Sequence, residues 1–250
     1  AAVYMEPVGP ESGTTPITVE YVKGVERLCR KYGALLVFDE VVTGFRIGMA
    51  GAQGYFGVSP DLTIFGKVIA GGYPGAGGIG GKREYMKYLG AGLDSSGKKI
   101  HKALVGGTMT ANPLSCCAGY FTLEEIERTN ACQKAGQMGD RICAGLKELV
   151  KKHGLPFVVW NTGSICHLET VGTMHYQINW KKPWEIPAIL GETGIRQKEM
   201  EHMGAAYMAE GLVTLAGSRL YTSAAYTPKM IDQALACFDR VFENVAVKAD

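Results

Sequence analysis

The sequence predicts an α/β protein, with a mainly parallel sheet in a large domain and a smaller α+β domain after it. Two patterns carry this expectation. Over the first half, short apolar runs closed by Gly, Pro or Asp alternate with segments of helical spacing, the order expected of strands joined by crossover helices. After about residue 125 that strand-rich stretch gives way to long helical patterns and then to a mixed region. Bulk composition agrees: 250 residues at 46% hydrophobic can bury a large core as one large domain or two smaller ones. We divide the chain into residues 1–125 and 126–250.

Taken in order, Ala2 to Met5 predicts a short buried strand ended by Pro7. Val22, Val25, Leu28 and Cys29 give Val19 to Lys31 helical spacing. Ala34 to Phe38 is a continuous apolar run closed by Asp39, so these three segments form a βαβ unit with its chemistry expected at the carboxyl ends of the strands. Leu62 to Phe65 is a further short buried strand, and Gly66-Lys67 follows it directly. Gly71 to Gly81 is glycine-rich, and Lys82 to Leu89 predicts a short helix. The polar stretch 90–105 predicts a surface excursion. Pro113 opens a helix running to about Arg128, and a second amphipathic helix covers roughly Ala131 to His153. Phe157 to Trp160, Ile165 to Leu168 and Leu212 to Leu215 read as strands, and Ile231 to Val245 as a closing helix. No internal repeat is visible.

Charge and cysteine content narrow the function. Lys plus Arg (26) nearly balances Asp plus Glu (24), so no broad field favours nucleic acid or an anionic membrane. A small-molecule partner is expected. The longest uncharged stretch, Ala103 to Leu123, is broken by Gly106-Gly107, Asn112 and Pro113 and does not read as a membrane span. The seven cysteines show no C-x-x-C spacing, which argues against zinc or a redox dithiol. Their odd number and apolar neighbours predict reduced, buried thiols in a cytoplasmic protein. The opening Ala-Ala-Val-Tyr-Met-Glu-Pro lacks the pattern of a signal peptide and reads as a strand entered from upstream, so the chain is expected to be part of something longer.

Three segments carry chemistry together: Val37-Phe38-Asp39-Glu40-Val41, Phe65-Gly66-Lys67 and Gly107-Thr108. Alone, an Asp after a strand also serves as a helix cap, and a Lys there also serves as a snorkelling surface residue. Jointly they supply what pyridoxal phosphate (PLP) chemistry requires: an amine to form a Schiff base with the cofactor aldehyde, and a carboxylate to keep the ring nitrogen protonated. The run Phe38-Asp39-Glu40-Val41-Val42-Thr43-Gly44-Phe45-Arg46, with Gly57-Val58-Ser59-Pro60-Asp61-Leu62-Thr63 and Gly66-Lys67-Val68-Ile69-Ala70-Gly71-Gly72, resembles the signature of class III aminotransferases. Within that class it is most similar to the glutamate-1-semialdehyde 2,1-aminomutase-like group. The separation of 28 positions between Asp39 and Lys67 also matches the family pattern.

The resemblance implies PLP fold type I, with residues 1–125 as the C-terminal portion of the PLP-binding large domain and 126–250 as the small C-terminal domain. It assigns Lys67 as the Schiff-base lysine and proton shuttle, Asp39 as the partner of the pyridinium nitrogen, and Val41 as the aliphatic residue against the ring. Thr108 matches a threonine that reaches the cofactor phosphate of a neighbouring subunit, which implies a homodimer with shared active sites. Glu6-Pro7-Val8, followed by Glu11 and Gly13, resembles the family's Glu-Pro loop, with Glu11 at the position of an active-site glutamate. The resemblance spans nearly the whole chain and weakens after about 150. Nothing corresponds to the family's phosphate-cup loop or its ring-stacking aromatic, which lie upstream of this strand.

Other features have plainer readings. The glycine-rich passage has neither a P-loop ending nor a dinucleotide fingerprint, so close backbone packing beside Lys67 is its expected role. The five histidines share no metal spacing, and the three tryptophans read as packing residues. Alignment at Tyr221 to Thr227 puts Ser218 where the aminomutases carry a glutamate, and Arg219 where other members hold an arginine for the substrate carboxylate. The expected activity is therefore transfer of an amino group between a small-molecule donor and a carbonyl acceptor. Aminomutase stands second and racemase third, and a catalytically silent scaffold remains a reading from another class.

Overall fold

A computed structural model describes residues 1–8, 16–90, 92–171 and 181–245, apart from the side chains of 189, 190 and 193. Of the described residues, 1–8 and those from Ile17 to Cys132 form one compact unit, and Pro16 with those from Gln133 onward another. The sequence boundary at 125 falls inside helix α4 of the first unit.

The first unit runs β1 (Ala2–Met5), α1 (Val19–Tyr32), β2 (Leu35–Asp39), α2 (Gly51–Phe56), β3 (Leu62–Phe65), β4 (Gly78–Gly81), α3 (Arg83–Met86) and α4 (Pro113–Thr129). Helix α1 starts where the Thr18 hydroxyl accepts from the Tyr21 amide at 3.2 Å, and it stops at Gly33, whose φ of 64° is left-handed. Strand order is β1-β2-β3-β4. The first three strands are parallel, with Tyr4 opposite Val37 and Asp39 opposite Ile64, and β4 closes the row antiparallel to β3. Asp61 stitches this sheet, accepting from the Leu36 amide at 2.8 Å and pairing with the Lys82 ammonium. Leu36, Phe38, Val22 and Phe56 form its buried interior.

The expectation of a buried β1 is corrected. Val3 is 39% and Tyr4 58% exposed, because β1 stands at the edge of the described sheet with one neighbour only. The glycine-rich passage also contains a strand, β4, that its composition hid, since glycine is a poor strand former.

The second unit comprises α5 (Ala131–Lys152), β5 (Val158–Thr162), β6 (Ile165–Glu169), α6 (Ile186–Ala209), β7 (Arg219–Tyr221) and α7 (Pro228–Glu243). Its three strands form an antiparallel sheet in chain order. Leu146, Leu168, Tyr207, Phe238 and Phe242 fill its core, all 1% exposed or less. The expected strand over Leu212 to Leu215 is corrected: Val213 is 85% exposed and only Leu215 bridges, to Arg219. The third strand is Arg219–Tyr221, where Leu220 is buried. Two further corrections concern side chains. Cys116 and Cys117 are exposed, while Cys29, Cys143 and Cys166 are buried as expected, and Trp184 is 69% exposed and does not pack inside.

Candidate functional site

Parallel pairing sends β2 and β3 in the same direction, so the residues leaving both strands emerge at one sheet edge. Asp39 ends β2, and its Oδ1 accepts from the Val41 amide at 3.0 Å. Next to it, Glu40 turns inward and is 1% exposed. Its Oε2 accepts from the Thr43 hydroxyl at 2.9 Å and the Ala52 amide at 2.6 Å. Its Oε1 accepts from the Gln53 amide at 3.1 Å and the Gln53 side chain at 3.3 Å. Ala50 offers no side-chain cap to α2, so Glu40 caps that helix from a distance, with its negative charge at the positive end of the helix. This fixes the backbone that carries Asp39 and Val41. The sequence reading passed over Glu40, because its partners lie 12 and 13 positions away and only the fold joins them.

Lys67 opens a single 3-10 turn, Lys67–Ala70, straight after β3. Its side chain is exposed, and its φ of 51° is left-handed, a conformation that costs a non-glycine residue about 1–3 kcal/mol and persists where surrounding packing imposes it. The packing is visible. A Cβ on Gly119 of α4 would sit 1.9 Å from the Ile69 carbonyl oxygen, and one on Gly71 2.5 Å from the Ala118 carbonyl carbon. Helix and turn thus touch backbone to backbone, the role expected of the glycine passage at Gly71. A Cβ on Gly66 would stand 3.2 Å from Val41 Cγ1, so Val41 lies against the residue preceding Lys67.

Thr108 is exposed, in the turn 108–111. Asn112 caps α4, its Oδ1 accepting from the Ser115 amide at 3.0 Å, while its Nδ2 donates to the carbonyls of Met109 at 3.0 Å and Pro74 at 3.2 Å. The Ser115 hydroxyl also donates to Pro74, at 2.6 Å, and the Ala111 amide to Gly75 at 2.8 Å. The Thr108 turn is therefore stapled to the glycine passage that follows Lys67.

In the second unit Arg219 is half-buried and pairs across the sheet with His167, which pairs in turn with Trp160. The His167 and Trp160 rings stack with centroids 4.1 Å apart. Ser218 is 1% exposed, and its carbonyl accepts from the Leu168 amide at 2.8 Å. Glu11 and Gly13 lie outside the described residues. The structure thus brings Asp39, Val41 and Lys67 to one edge of one sheet and gives Thr108 a turn bound to the same unit, while Arg219 belongs to the other unit. Among the described residues no group of three His, Cys, Asp or Glu side chains could hold a metal ion, and no helix is long and apolar enough to cross a membrane.

Two parallel strands of a mixed sheet bring Asp39 and Lys67 to one edge, and comparison with known proteins gives the family. The profile described as Aminotransferase class-III matches residues 1–216, and the chain belongs to that family, whose cofactor is PLP. It is 34% identical over 94% of its length to glutamate-1-semialdehyde 2,1-aminomutase 2 of Brevibacillus brevis, covering 51% of that protein. It is 36% identical over 99% of its length to the protein of the same name from Shouchella clausii, covering 53%. The chain spans about half the length of the curated relatives it matches. An omega-transaminase from Sphaerobacter thermophilus superposes with a TM-score of 0.75 at 24% identity, over 97% of this chain and 52% of that one. This is the fold of PLP type I transaminases.

Proposed function

We propose that this chain carries the lysine-bearing part of a PLP-dependent aminotransferase, with Lys67 as the amine that bonds the cofactor and Asp39 as the partner of its ring nitrogen. The observation that carries this reading is the strained, exposed Lys67 on the turn after β3, beside the β2 strand that ends in Asp39. The described residues suit the cofactor: a free-standing amine, a carboxylate held by the Val41 amide, and an aliphatic side chain against Gly66. When bound, PLP supplies an aldehyde and an electron-withdrawing ring. Asp39 offers its carboxylate to a protonated ring nitrogen. Val41 presents an apolar surface that excludes water from one ring face. Lys67 Nζ would hold the cofactor covalently and would carry the proton between substrate and cofactor carbons.

In the same reading, Thr108 reaches the phosphate bound by a second copy of the chain, which makes the enzyme a homodimer with shared sites. Arg219 holds the substrate carboxylate, with Glu11 as its counter-ion when no substrate is bound. The seven free cysteines suit a reducing compartment, and we place the enzyme in the cytoplasm. Aminomutase is the second reading, favoured by the names of the relatives at 34% and 36% identity. Against it stands Ser218, buried where the notional gating glutamate would sit.

The test is reconstitution of the full-length protein with PLP, followed by spectral titration with a panel of amino acids, amines and oxo acids. A yellow protein that releases an oxo product and passes the amino group to a separate acceptor supports aminotransferase. Internal amino transfer without a second substrate supports aminomutase. Lys67→Ala should lose turnover entirely, and Asp39→Asn should lose about two or more orders of magnitude in kcat, the scale seen when a preorganised charge is removed. Substantial activity in Lys67→Ala would end the assignment.

A further inference from the structure

Asp39 has a second donor that no feature of the sequence announced. Its Oδ1 is taken by the Val41 amide at 3.0 Å, and its Oδ2 accepts from the Tyr4 hydroxyl at 2.5 Å. Tyr4 reaches it from the neighbouring strand: Tyr4 is the register partner of Val37, and Val37 and Asp39 project from the same face of β2. The Tyr4 side chain is thereby tied to the carboxylate that ends β2. A carboxylate oxygen accepts about two hydrogen bonds, so Oδ2 retains a lone pair after Tyr4 is bound.

We propose that Tyr4 is a positioning residue for Asp39, its hydroxyl fixing the carboxylate so that the remaining lone pairs face the ring nitrogen of PLP. The inference rests on the reading of Asp39 given above. Tyrosine suits the task because its donor is neutral: it orients the carboxylate without cancelling the charge that the ring nitrogen needs, as an arginine or lysine in its place would. The hydroxyl keeps its proton. Its hydrogen bond to Asp39, reinforced by burial and by the charges of Asp39 and Glu6, holds the Tyr4 pKa above the ordinary tyrosine value.

The experiment compares the full-length wild type, Tyr4→Phe, Asp39→Asn and the double variant. It reads three quantities: PLP affinity by equilibrium dialysis, the pH midpoint of the bound chromophore's absorbance, and the melting temperature of the apoprotein. Tyr4→Phe keeps the ring and removes the hydroxyl. It should weaken PLP binding about tenfold, the weight of one charge-assisted hydrogen bond, and shift the chromophore midpoint while leaving apoprotein melting unchanged. In the Asp39→Asn background the same change should have little further effect on either cofactor readout. A merely structural tyrosine would move melting instead, or would weaken PLP equally in both backgrounds, and either result overturns the proposal. If wild type binds PLP and Asp39→Asn weakens it but Tyr4→Phe matches wild type, the role of Tyr4 alone is refuted. If wild type binds no PLP, or Asp39→Asn binds as well as wild type, the site reading itself falls and this inference with it.

Discussion

Replacing Glu40 with Gln tests whether one buried carboxylate organises the loop that carries Asp39. The change preserves shape, so no cavity arises, and its whole effect is electrostatic. Glu40 accepts four hydrogen bonds, two of them from the Ala52 and Gln53 backbone amides in the first turn of α2. Whichever way the new amide turns, its NH2 must face one of those N–H groups. The Thr43 hydroxyl and the Gln53 side chain can reorient to compensate, but a backbone amide cannot. An orphaned buried donor costs about 1–3 kcal/mol, and loss of a buried negative charge at a helix N-terminus adds up to about 2 kcal/mol. Relaxation is blocked because Gly51 lies so near that a Cβ there would stand 2.1 Å from Oε2. The expected loss of about 1–5 kcal/mol corresponds to roughly 3–20 °C in melting temperature for a unit of this size. Calorimetry of the apoprotein reads that shift, and PLP titration should show weaker binding alongside it. Melting within about 1 °C of wild type would refute the claim that Glu40 holds this loop.

Two further variants probe the other unit. Arg219→Ala should lose tens- to thousands-fold in kcat/KM for substrates that carry a carboxylate, the range found on truncating one partner of a buried charge pair, and far less for simple amines. Equal losses on both substrate classes, or none on either, would remove Arg219 from the site. Asp239 ties α5 to α7 by accepting from His153 at 2.6 Å and Lys152 at 2.7 Å, and these two partners hold its carboxyl below the usual range. A depressed folded-state pKa gives stabilisation that is present above the unfolded value, about 4, and that fades as pH falls through the folded one. Melting scans between pH 2 and 6 should therefore show a steeper acid decline in wild type than in Asp239→Asn, and parallel curves would refute the link.

Asp39 and Lys67 were legible in the sequence because a parallel strand needs only a local signal, an apolar run with a sharp end, and both residues mark such ends. Glu40 and Tyr4 were not, since each acts on a partner brought close by the fold: Glu40 on the first turn of α2, Tyr4 on Asp39 across a strand pair 35 positions apart in sequence. Helix α6 escaped notice because Gly191, Gly194 and Gly204 interrupt it and its apolar residues are not sorted onto one face. Strand β7 was displaced by a neighbouring decoy, the apolar run Leu212 to Leu215, which is more hydrophobic than Arg219–Tyr221 but of which only Leu212 packs against the core while Val213 and Leu215 stay exposed.

The left-handed backbone at Lys67 has a consequence for anyone seeking a hardier version of this protein. Glycine adopts that conformation without penalty, and the Lys67 side chain is exposed, so Lys67→Gly removes strain and sacrifices little packing. A selection for thermal endurance alone would reward that exchange and remove the amine proposed to bond the cofactor in the same step. Under the role proposed for Lys67, position 67 is held by its amine against the preference of the backbone beneath it, and stability-guided redesign has to leave it untouched.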